Sequence, residues 1–253
     1  MNLNNVSIGI KTFLRDGALF NTIAAIRRTM PEVKMIIADD GEMSEEKDGI
    51  YADLEKEGHT IIHLPFDSGF GMKSNRIADA LSNPYLLIGS DDFDFNPSYV
   101  REGIEKMMEI LDSTDVDVIG GRVGWPYEFD LEEKENGVVI ERPVKVSGPT
   151  PWFVKCDLTV NYKLVKKHVF EKARWMDSIK IGGGEHAYWF LLCKKAGFKV
   201  AWAPGAEIRE QKLSHDSRYW SYRARSSDKA RPCFDAIGVK KYILGNGQVD
   251  YQL

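Results

Sequence analysis

The sequence has little cysteine, no long apolar run and no excess of positive charge. Its three cysteines, Cys156, Cys193 and Cys233, include no C-x-x-C pair, which argues against a disulfide framework and a thiolate zinc site. No stretch of about 18 apolar residues occurs, so we predict no membrane-spanning helix. The short apolar run at the start is followed by Lys11 and Arg15, which argues against a secretory signal. We therefore expect a reduced, cytoplasmic setting.

The overall charge gives no sign of a polyanionic partner for the whole chain. There are 34 Lys and Arg residues against 38 Asp and Glu, a formal net charge of −4, so any nucleic-acid contact would be local. The 253 residues are 43% apolar and 28% charged, a size and composition typical of one globular domain or two merged ones. Fibrous and disordered classes are excluded.

Short β-rich runs alternate with longer helical patterns through the first 120 residues, which predicts a mainly parallel sheet with crossover helices. The predicted strands are 6–10, 33–38, 59–64, 85–89 and 116–120. The predicted helices between them are 18–29, 44–57, 71–81 and 97–111. This alternation indicates an α/β fold.

The pattern changes after Gly121. Residues 127–133 and 138–146, joined by Glu135-Asn136-Gly137, predict a β-hairpin, because an Asn-Gly centre accepts positive φ. Pro143 in the second arm predicts an edge strand, and we interpret the hairpin as an insertion on the sheet. Further elements are predicted as a strand pair over 152–164, a helix over 185–195 and a strand over 198–203, followed by a loop-rich tail from Glu207.

Polar clusters follow four of the predicted strands, where ligands of parallel α/β sheets bind. In chain order, the clusters are Lys11, Thr12 and Arg15; Asp39 and Asp40; Asp67 and Ser68, leading to Lys73 and Arg76; and Ser90, Asp91, Asp92 and Asp94. Acidic clusters with cations at one edge suit a nucleotide diphosphate held through a divalent metal, because carboxylate oxygens bind hard cations. The alternative is that the Asp pairs only start turns or cap helices.

These segments resemble the glycosyltransferases of the GT-A fold, particularly the family 2 type and the related β-1,4-N-acetylgalactosaminyltransferases. The resemblance runs through VSIGIKTFLR, IIADDGE, LLIGSDDFDF (the DxD region), VNYKLVKKHVF and GGGEHAYWFLLCKKAGFKV, to about Ala206. It implies a Rossmann-like GT-A fold, with a mainly parallel central sheet flanked by helices, a β-hairpin insertion and a loop-rich C-terminal tail. The domain would span 1–206, with a nucleotide-sugar half (1–120) and an acceptor half (121–206), and the tail (207–253) would pack on it.

The resemblance also implies which residues bind the nucleotide. Thr12 and Arg15 would line its pocket, and Asp39 or Asp40 would hydrogen-bond the base, typically uracil. The remaining members of this set lie near the phosphates or the ribose and are Lys73, Arg76 and Asp91.

The implied metal ligand is Asp92, for Mn²⁺ or Mg²⁺. Ser90 stands where an acidic residue often precedes it, which leaves Asp94 as an alternative anchor, and we favour Asp92. A third ligand is often a His after the last core strand, but that place holds Glu210 and the nearest histidine is His215. We predict His215 on a mobile loop as this ligand, with Glu210 or no third ligand as alternatives.

An inverting transferase needs a carboxylate that takes the proton from the acceptor hydroxyl. The resemblance places Glu185, in Gly182-Gly-Gly-Glu185-His186, in this role at the start of a helix. The alternative is an ordinary Glu at a helix start. On the acceptor or sugar side we predict three residues, Asp157, Trp152 and His186.

The tail from Lys212 to Arg231 carries six basic and two acidic residues, with Tyr219, Trp220 and Tyr222 interleaved. Cations with stacking rings are typical of nucleic-acid surfaces, and equally of a loop that closes over a nucleotide sugar. A third interpretation is a solvated loop whose rings pack back on the domain.

We therefore predict an inverting, metal-dependent hexosyl- or N-acetylhexosaminyltransferase that uses a UDP-sugar. Its acceptor would be a saccharide or, through the basic tail, a hydroxymethylated DNA base. A nucleotidyltransferase is an alternative, disfavoured because IKTFLR stands where a GxGxR loop would follow the first strand. A non-catalytic nucleotide-sugar-binding module is another, suggested by Ser90 and by the lack of a His near Glu210.

Overall fold

A computed structural model describes residues 2–124, 128–146, 151–225 and 231–252. The helices in these ranges are α1 Asp16–Thr29, α2 Glu45–Lys56, α3 Phe70–Asp79, α4 Ser98–Ser113, α5 Glu185–Lys195, α6 Ser217–Arg223 and α7 Arg231–Ala236. The strands are β1 Val6–Thr12, β2 Lys34–Asp39, β3 Thr60–His63, β4 Tyr85–Ser90, β5 Phe93–Asp94, β6 Val118–Val123, β7 Phe129–Lys134, β8 Val138–Pro143, β9 Val154–Cys156, β10 Lys163–Lys166, β11 Val200–Glu210, β12 Lys241–Ile243 and β13 Val249–Gln252. Tyr127 of the predicted hairpin and residues 226–230 of the basic tail lie outside the described ranges.

The main sheet has the order β3-β2-β1-β4-β10-β6-β11-β5, with β9 also pairing β11. The first four strands of this order run parallel, so β1, β2 and β4 end at the same edge. Strand β10 runs antiparallel between β4 and β6, while β6 and β11 are parallel. The predicted mainly parallel α/β sheet is confirmed. The predicted strand pair over 152–164 is wrong, because β9 pairs β11 whereas β10 pairs β4 and β6.

Helices cover both faces of this sheet, and buried apolar side chains fill the space between them. Leu19 of α1 and Met107 of α4 belong to one core cluster, and Ile77 of α3 and Trp189 of α5 to the other. Each fully buried side chain of this kind contributes about 1.5–3 kcal/mol. The two cores hold the strand ends in fixed positions. None of the helices described is both long enough and apolar enough to cross a lipid bilayer.

The predicted hairpin forms, but it does not lie on the main sheet. Strands β7 and β8 are antiparallel, and Asn136 and Gly137 have φ of 62° and 74° in the turn. Strand β8 also pairs in parallel with β12 of the tail, in a second sheet of order β13-β12-β8-β7. The edge-strand prediction is therefore wrong, because β8 lies between β7 and β12. Pro143 is compatible with this position because it is the last residue of β8, and β12 pairs only with 138–140.

The tail is more regular than predicted. It forms α6, α7, β12 and β13 within the residues described. Weak periodicity hid these elements because each is short, and because β12 gains its pairing partner from a hairpin about a hundred positions earlier in the chain.

Candidate active site

A cleft of about 360 Å³ opens at the shared carboxyl edge of β1, β2 and β4. Its lining combines the strand ends, the start of α5 and the rim segment, which we define as residues 210–225. The predicted site residues on the lining are Thr12, Arg15, Asp40, Lys73, Asp91, Asp92, Glu185 and His186. Asp39, Arg76, Asp157, Trp152 and His215 are not among the lining residues.

Arg15 joins the two aspartates that follow β4. Its Nη1 lies 2.7 Å from Oδ2 of Asp92, and its Nη2 and Nε donate to the carboxylate of Asp91. Thr12 Oγ1 also donates to Asp91, at 3.0 Å. Burial acts to lower the pKa of Arg15, but the charges of Asp91 and Asp92 outweigh it and raise that pKa. The hydroxyl of Ser90 donates to Oδ1 of Asp92, so Ser90 helps to orient the Asp92 carboxylate.

Asp92 faces the cleft and Asp94 does not. The side chain of Asp94 accepts from the backbone and side-chain nitrogens of Asn96, a local turn that follows β5. Asp91 is almost fully buried, and burial raises its pKa although the Arg15 charge acts in the opposite direction. Asp92 is therefore the acid of this segment that can reach a ligand.

Glu210, at the end of β11, lies on the cleft with Asp92. Partial burial and, next, the Asp92 charge raise the pKa of Glu210. His215 is exposed and stacks on Trp220, with ring centroids 6.2 Å apart. Of the two residues predicted as alternatives for a third metal ligand, Glu210 lies on the cleft and His215 does not.

These carboxylates fit a hard divalent cation that takes few protein ligands. Within the described ranges, no cluster of three or more His, Cys, Asp or Glu side chains could hold a metal ion. Asp92 and Glu210 nevertheless face one cleft closely enough for their charges to repel. Mg²⁺-type sites commonly use one or two carboxylates and complete the shell with phosphate oxygens and water.

The neighbouring acids Asp39 and Asp40 have different surroundings. Asp39 accepts from Tyr51 Oη at 2.7 Å and lies 3.0 Å from Lys47 Nζ, away from the cleft. Asp40 lies on the cleft and accepts from Lys73 Nζ at 2.5 Å and from the backbone N of Gly69 at 2.6 Å. Of the two alternatives, Asp40 is the one that can meet a nucleotide.

Three predicted site residues make contacts away from the cleft. Arg76 pairs with Asp79 on the surface of α3, 3.1 Å away. Asp157 accepts from Lys194 Nζ at 2.7 Å and from the backbone N of Leu131 at 2.8 Å, which ties the second sheet to α5. The exposed ring of Trp152 contacts Phe153, with centroids 5.9 Å apart.

Glu185 begins α5 in a tightly defined position. Gly184 precedes it with φ of 84°, a conformation that glycine adopts without steric cost. The backbone N of Gly183 donates to Oε2 of Glu185, and His186 Nε2 lies 3.4 Å from Oε1. Glu185 is 5% exposed. The glycine run thus turns this carboxylate into the cleft and holds it there.

Lys11 and Lys163 line the cleft, and neither was assigned a role from the sequence, although Lys11 belongs to the polar cluster after the first predicted strand. Lys11 Nζ donates to Gly89 O at 3.0 Å, and desolvation, followed by the Lys73 charge, lowers its pKa to about 8. Lys163 on β10 is completely buried, and desolvation, followed by the Lys11 charge, lowers its pKa to about 7. A signal for Lys163 was present, since a lysine interrupts the apolar run of VNYKLV.

The rim segment packs over the end of the cleft that Phe13, Arg15 and Asp67 form. Tyr219 lies over the guanidinium of Arg15, 4.6 Å from ring centroid to Cζ. Tyr222 meets Phe13 edge to face, with centroids 5.2 Å apart. Arg225 donates to both oxygens of Asp67, at 2.8 Å each. Aromatic and basic side chains of the tail therefore contact residues that line the cleft.

The class defined by this fold and cleft is the GT-A glycosyltransferase fold. The chain superposes on GalNAc-T7, in a structure with UDP, GalNAc and Mn²⁺, with a TM-score of 0.64 at 11% identity, covering 83% of this chain and 43% of the other. For a mannosyltransferase of Pyrobaculum calidifontis with GDP-Man and Mn²⁺, the TM-score is 0.59 at 8% identity, covering 85% and 59%. Both likenesses concern the fold.

In sequence, the chain is similar to β-1,4 N-acetylgalactosaminyltransferases. It is 31% identical to the mouse enzyme 2 over 159 residues, which are 62% of this chain and 29% of the relative. It is 34% identical to the human enzyme 1 over 118 residues, which are 47% and 20% of the two chains. The match thus spans less than a third of either relative. No protein-family profile matches the chain. The resemblance inferred from the sequence motifs is confirmed.

Proposed function

We propose that this chain is an inverting glycosyltransferase that moves a sugar from a UDP-sugar to an acceptor hydroxyl. The observation that carries this proposal is that Asp92, at the end of β4, and Glu185, at the start of α5, face one cleft. The names of the sequence relatives support a transferase, and UDP with Mn²⁺ in the GalNAc-T7 structure supports the donor.

The diphosphate would lie at the edge where β1 and β4 end. Asp92 and Glu210 would hold a divalent metal there, which when bound neutralises the charge that develops on the leaving diphosphate. Lys73, which pairs with Asp40, is a cation of this edge. Phe13 lies 5.5 Å from Lys73 Nζ and meets Tyr222 edge to face on the lining, and these two rings would flank the base.

Glu185 would act as the general base. The acceptor oxygen forms a bond to the anomeric carbon while the bond from that carbon to the diphosphate oxygen breaks, and the acceptor proton moves to Glu185. The donated hydrogen bond from Gly183 fixes the carboxylate, so its orientation is set before the acceptor arrives.

The rim segment would keep water away from the donor. Its contacts, Tyr219 on Arg15 and Arg225 on Asp67, cover the nucleotide end of the cleft. Excluding water favours transfer over hydrolysis. Because these groups are engaged at the cleft, the tail favours closure over a nucleotide sugar, and we propose a saccharide acceptor; no observation on the described residues favours a DNA base.

Calorimetric titration of UDP, with GDP, CDP and ADP as controls, tests the donor half. We expect selective UDP binding with Mn²⁺ that weakens strongly in a chelator. Absence of nucleotide binding under both conditions would refute the proposal. Metal-dependent hydrolysis of a UDP-sugar would then separate an enzyme from a binding module, because a module without turnover gives binding alone.

A further inference from the structure

The lining of the cleft includes a buried lysine. Lys163 has 0% exposure, and its Nζ makes no hydrogen bond to any residue that the structure describes. This Nζ lies over the rings of Phe190 and Trp189, 4.9 and 5.2 Å from their centroids. An unpaired buried charge is costly, and proteins retain one mainly where a ligand or a reaction uses it.

Two further polar atoms in the same lining also have no partner among the described residues. They are Nε1 of Trp175, a donor whose residue is 4% exposed, and Nδ1 of His186. Burial lowers the pKa of His186 to about 4, so its ring is neutral at physiological pH. An amine and an indole N–H without hydrogen-bond partners among the described residues thus belong to residues of one lining.

The cations of the cleft are paired unequally. Near the nucleotide end, Arg15 pairs with Asp91 and Asp92, Lys73 with Asp40, and Lys180 and Arg225 with Asp67. Deeper in the floor, Lys11 donates only to a carbonyl and Lys163 to nothing described. The charge of Glu185 acts on both lysines, but among the described residues its carboxylate forms no hydrogen bond with either. Positive charge is thus in excess away from the phosphate end.

This excess lies where the transferred sugar must be. Lys163 lies opposite Ile88 on β4, the strand that leads to Asp91 and Asp92. The rings that its Nζ contacts belong to α5, the helix that Glu185 begins. The charges of Asp91, Asp92 and Glu185 all act on Lys11. Lys11 therefore lies near both the acids at the leaving diphosphate and the proposed base, and the charges of Lys11 and Glu185 act on Lys163.

We propose that Lys163, assisted by Lys11, binds a carboxylate on the donor sugar, so that the donor is a UDP-hexuronate. A carboxylate neutralises the buried ammonium and accepts from two donors at once, whereas a sugar hydroxyl supplies no charge. Because this substrate assignment rests on the proposed transfer from a UDP-sugar, its test must report on UDP binding separately.

The test compares matched donor pairs on the full chain with Mn²⁺ present. Affinities of UDP, UDP-glucuronate, UDP-glucose, UDP-galacturonate and UDP-galactose are measured by calorimetry. We expect at least one uronate to bind about tenfold or more tightly than its neutral hexose, as a charged hydrogen bond in a dry site would give.

Lys163→Met, similar in length and suited to the aromatic neighbours, should abolish that preference and leave UDP affinity within about twofold. Lys166→Met, on the same strand outside the cleft, should keep it.

Each outcome decides between the two levels of the proposal. UDP binding with no uronate preference in the wild type would overturn the carboxylate subsite and leave the transferase proposal standing. A preference that persists in Lys163→Met would also overturn the role of Lys163. Absence of UDP binding would refute both. If Lys163→Met fails to fold by circular dichroism, the wild-type comparison of matched donors still decides whether the subsite exists.

Discussion

Arg15 Nη1 lies 2.7 Å from Oδ2 of Asp92, and the same guanidinium holds Asp91. The loop after β1 and the end of β4 meet only because the two strands are parallel neighbours. Arg15 therefore orients the cleft acid before any donor binds. Under the proposed function, a metal at Asp92 would share this carboxylate with Arg15, and Glu210, on which the Asp92 charge acts, would supply a second oxygen donor.

Asp92→Asn should remove metal-dependent UDP binding and reduce turnover about 100-fold or more, because no bound metal would then neutralise the charge that develops on the leaving diphosphate. Asp94→Asn is the matched control, since Asp94 only caps a turn beside Asn96. Titration of UDP with and without Mn²⁺, followed by initial rates, measures both. Equal effects of the two substitutions would contradict the assignment of Asp92.

Glu185→Gln should lower kcat by about 10²–10⁴-fold while UDP affinity stays unchanged, because the amide cannot accept the acceptor proton. Glu45→Gln provides the control, since Glu45 also begins a helix but is exposed and distant from the cleft. Single-turnover rates with saturating donor report the chemical step. Near-normal turnover in Glu185→Gln would exclude the residue as the base.

Asp39→Asn should destabilise the fold without changing UDP affinity. It removes the charge that faces the fully buried Lys47, leaving only Asp16 as its ionic partner, and broken buried pairs cost up to about 3–5 kcal/mol. Asp40→Asn should destabilise too, but it should also weaken UDP binding, because Asp40 and Lys73 lie on the cleft.

Denaturant unfolding and UDP titration of the two variants separate these effects. Loss of UDP affinity in folded Asp39→Asn, with normal affinity in Asp40→Asn, would reverse the assignment.

Lys163→Met should make the protein more stable at pH 7, by about 1 kcal/mol or more, because it removes a buried unpaired amine. The folded pKa of Lys163 is lowered to about 7, below its ordinary value near 10.5. Between these values the unfolded state binds more protons, so the wild type gains stability as the pH rises. The advantage of the variant should therefore shrink from pH 7 to pH 10.

Thermal unfolding across this pH range measures the difference between the two proteins. Lys11 contributes a slope of the same sign in both proteins, so the difference between them reports Lys163 together with its electrostatic coupling to Lys11. Lys166→Met should follow the wild type. A stability difference that does not vary with pH would mean that Lys163 titrates normally in the folded protein.

Asp67→Asn should weaken UDP binding several-fold by releasing Arg225 and, with it, the rim segment. Glu42→Gln breaks the other ion pair of this segment, with Arg218. That pair is about half exposed, 51% and 58%, against 29% and 14% for Arg225 and Asp67, and exposed pairs contribute only about 0–1 kcal/mol. Glu42→Gln should therefore change UDP affinity less than Asp67→Asn does. A larger change in UDP affinity from Glu42→Gln would contradict this prediction.

Adjacent residues illustrate where sequence reasoning stops. Asp39 and Asp40 form one motif, but successive side chains of a strand point to opposite sides. One of the pair therefore meets Lys47 and Tyr51 and the other the cleft, and the motif alone leaves both possibilities open. The same limit applies to His215 and Glu210, which are five positions apart on the tail and have different surroundings.

The α/β alternation, the polar strand ends and the Glu at the start of α5 could be predicted from the sequence, because they depend on short-range periodicity and local turn chemistry. Three features could not: the pairing of β8 with β12, the packing of the rim segment on Arg15 and Asp67, and the burial of Lys163 in the cleft floor. These contacts join distant parts of the chain. They depend on strand order and on how the layers pack, which local pattern does not encode.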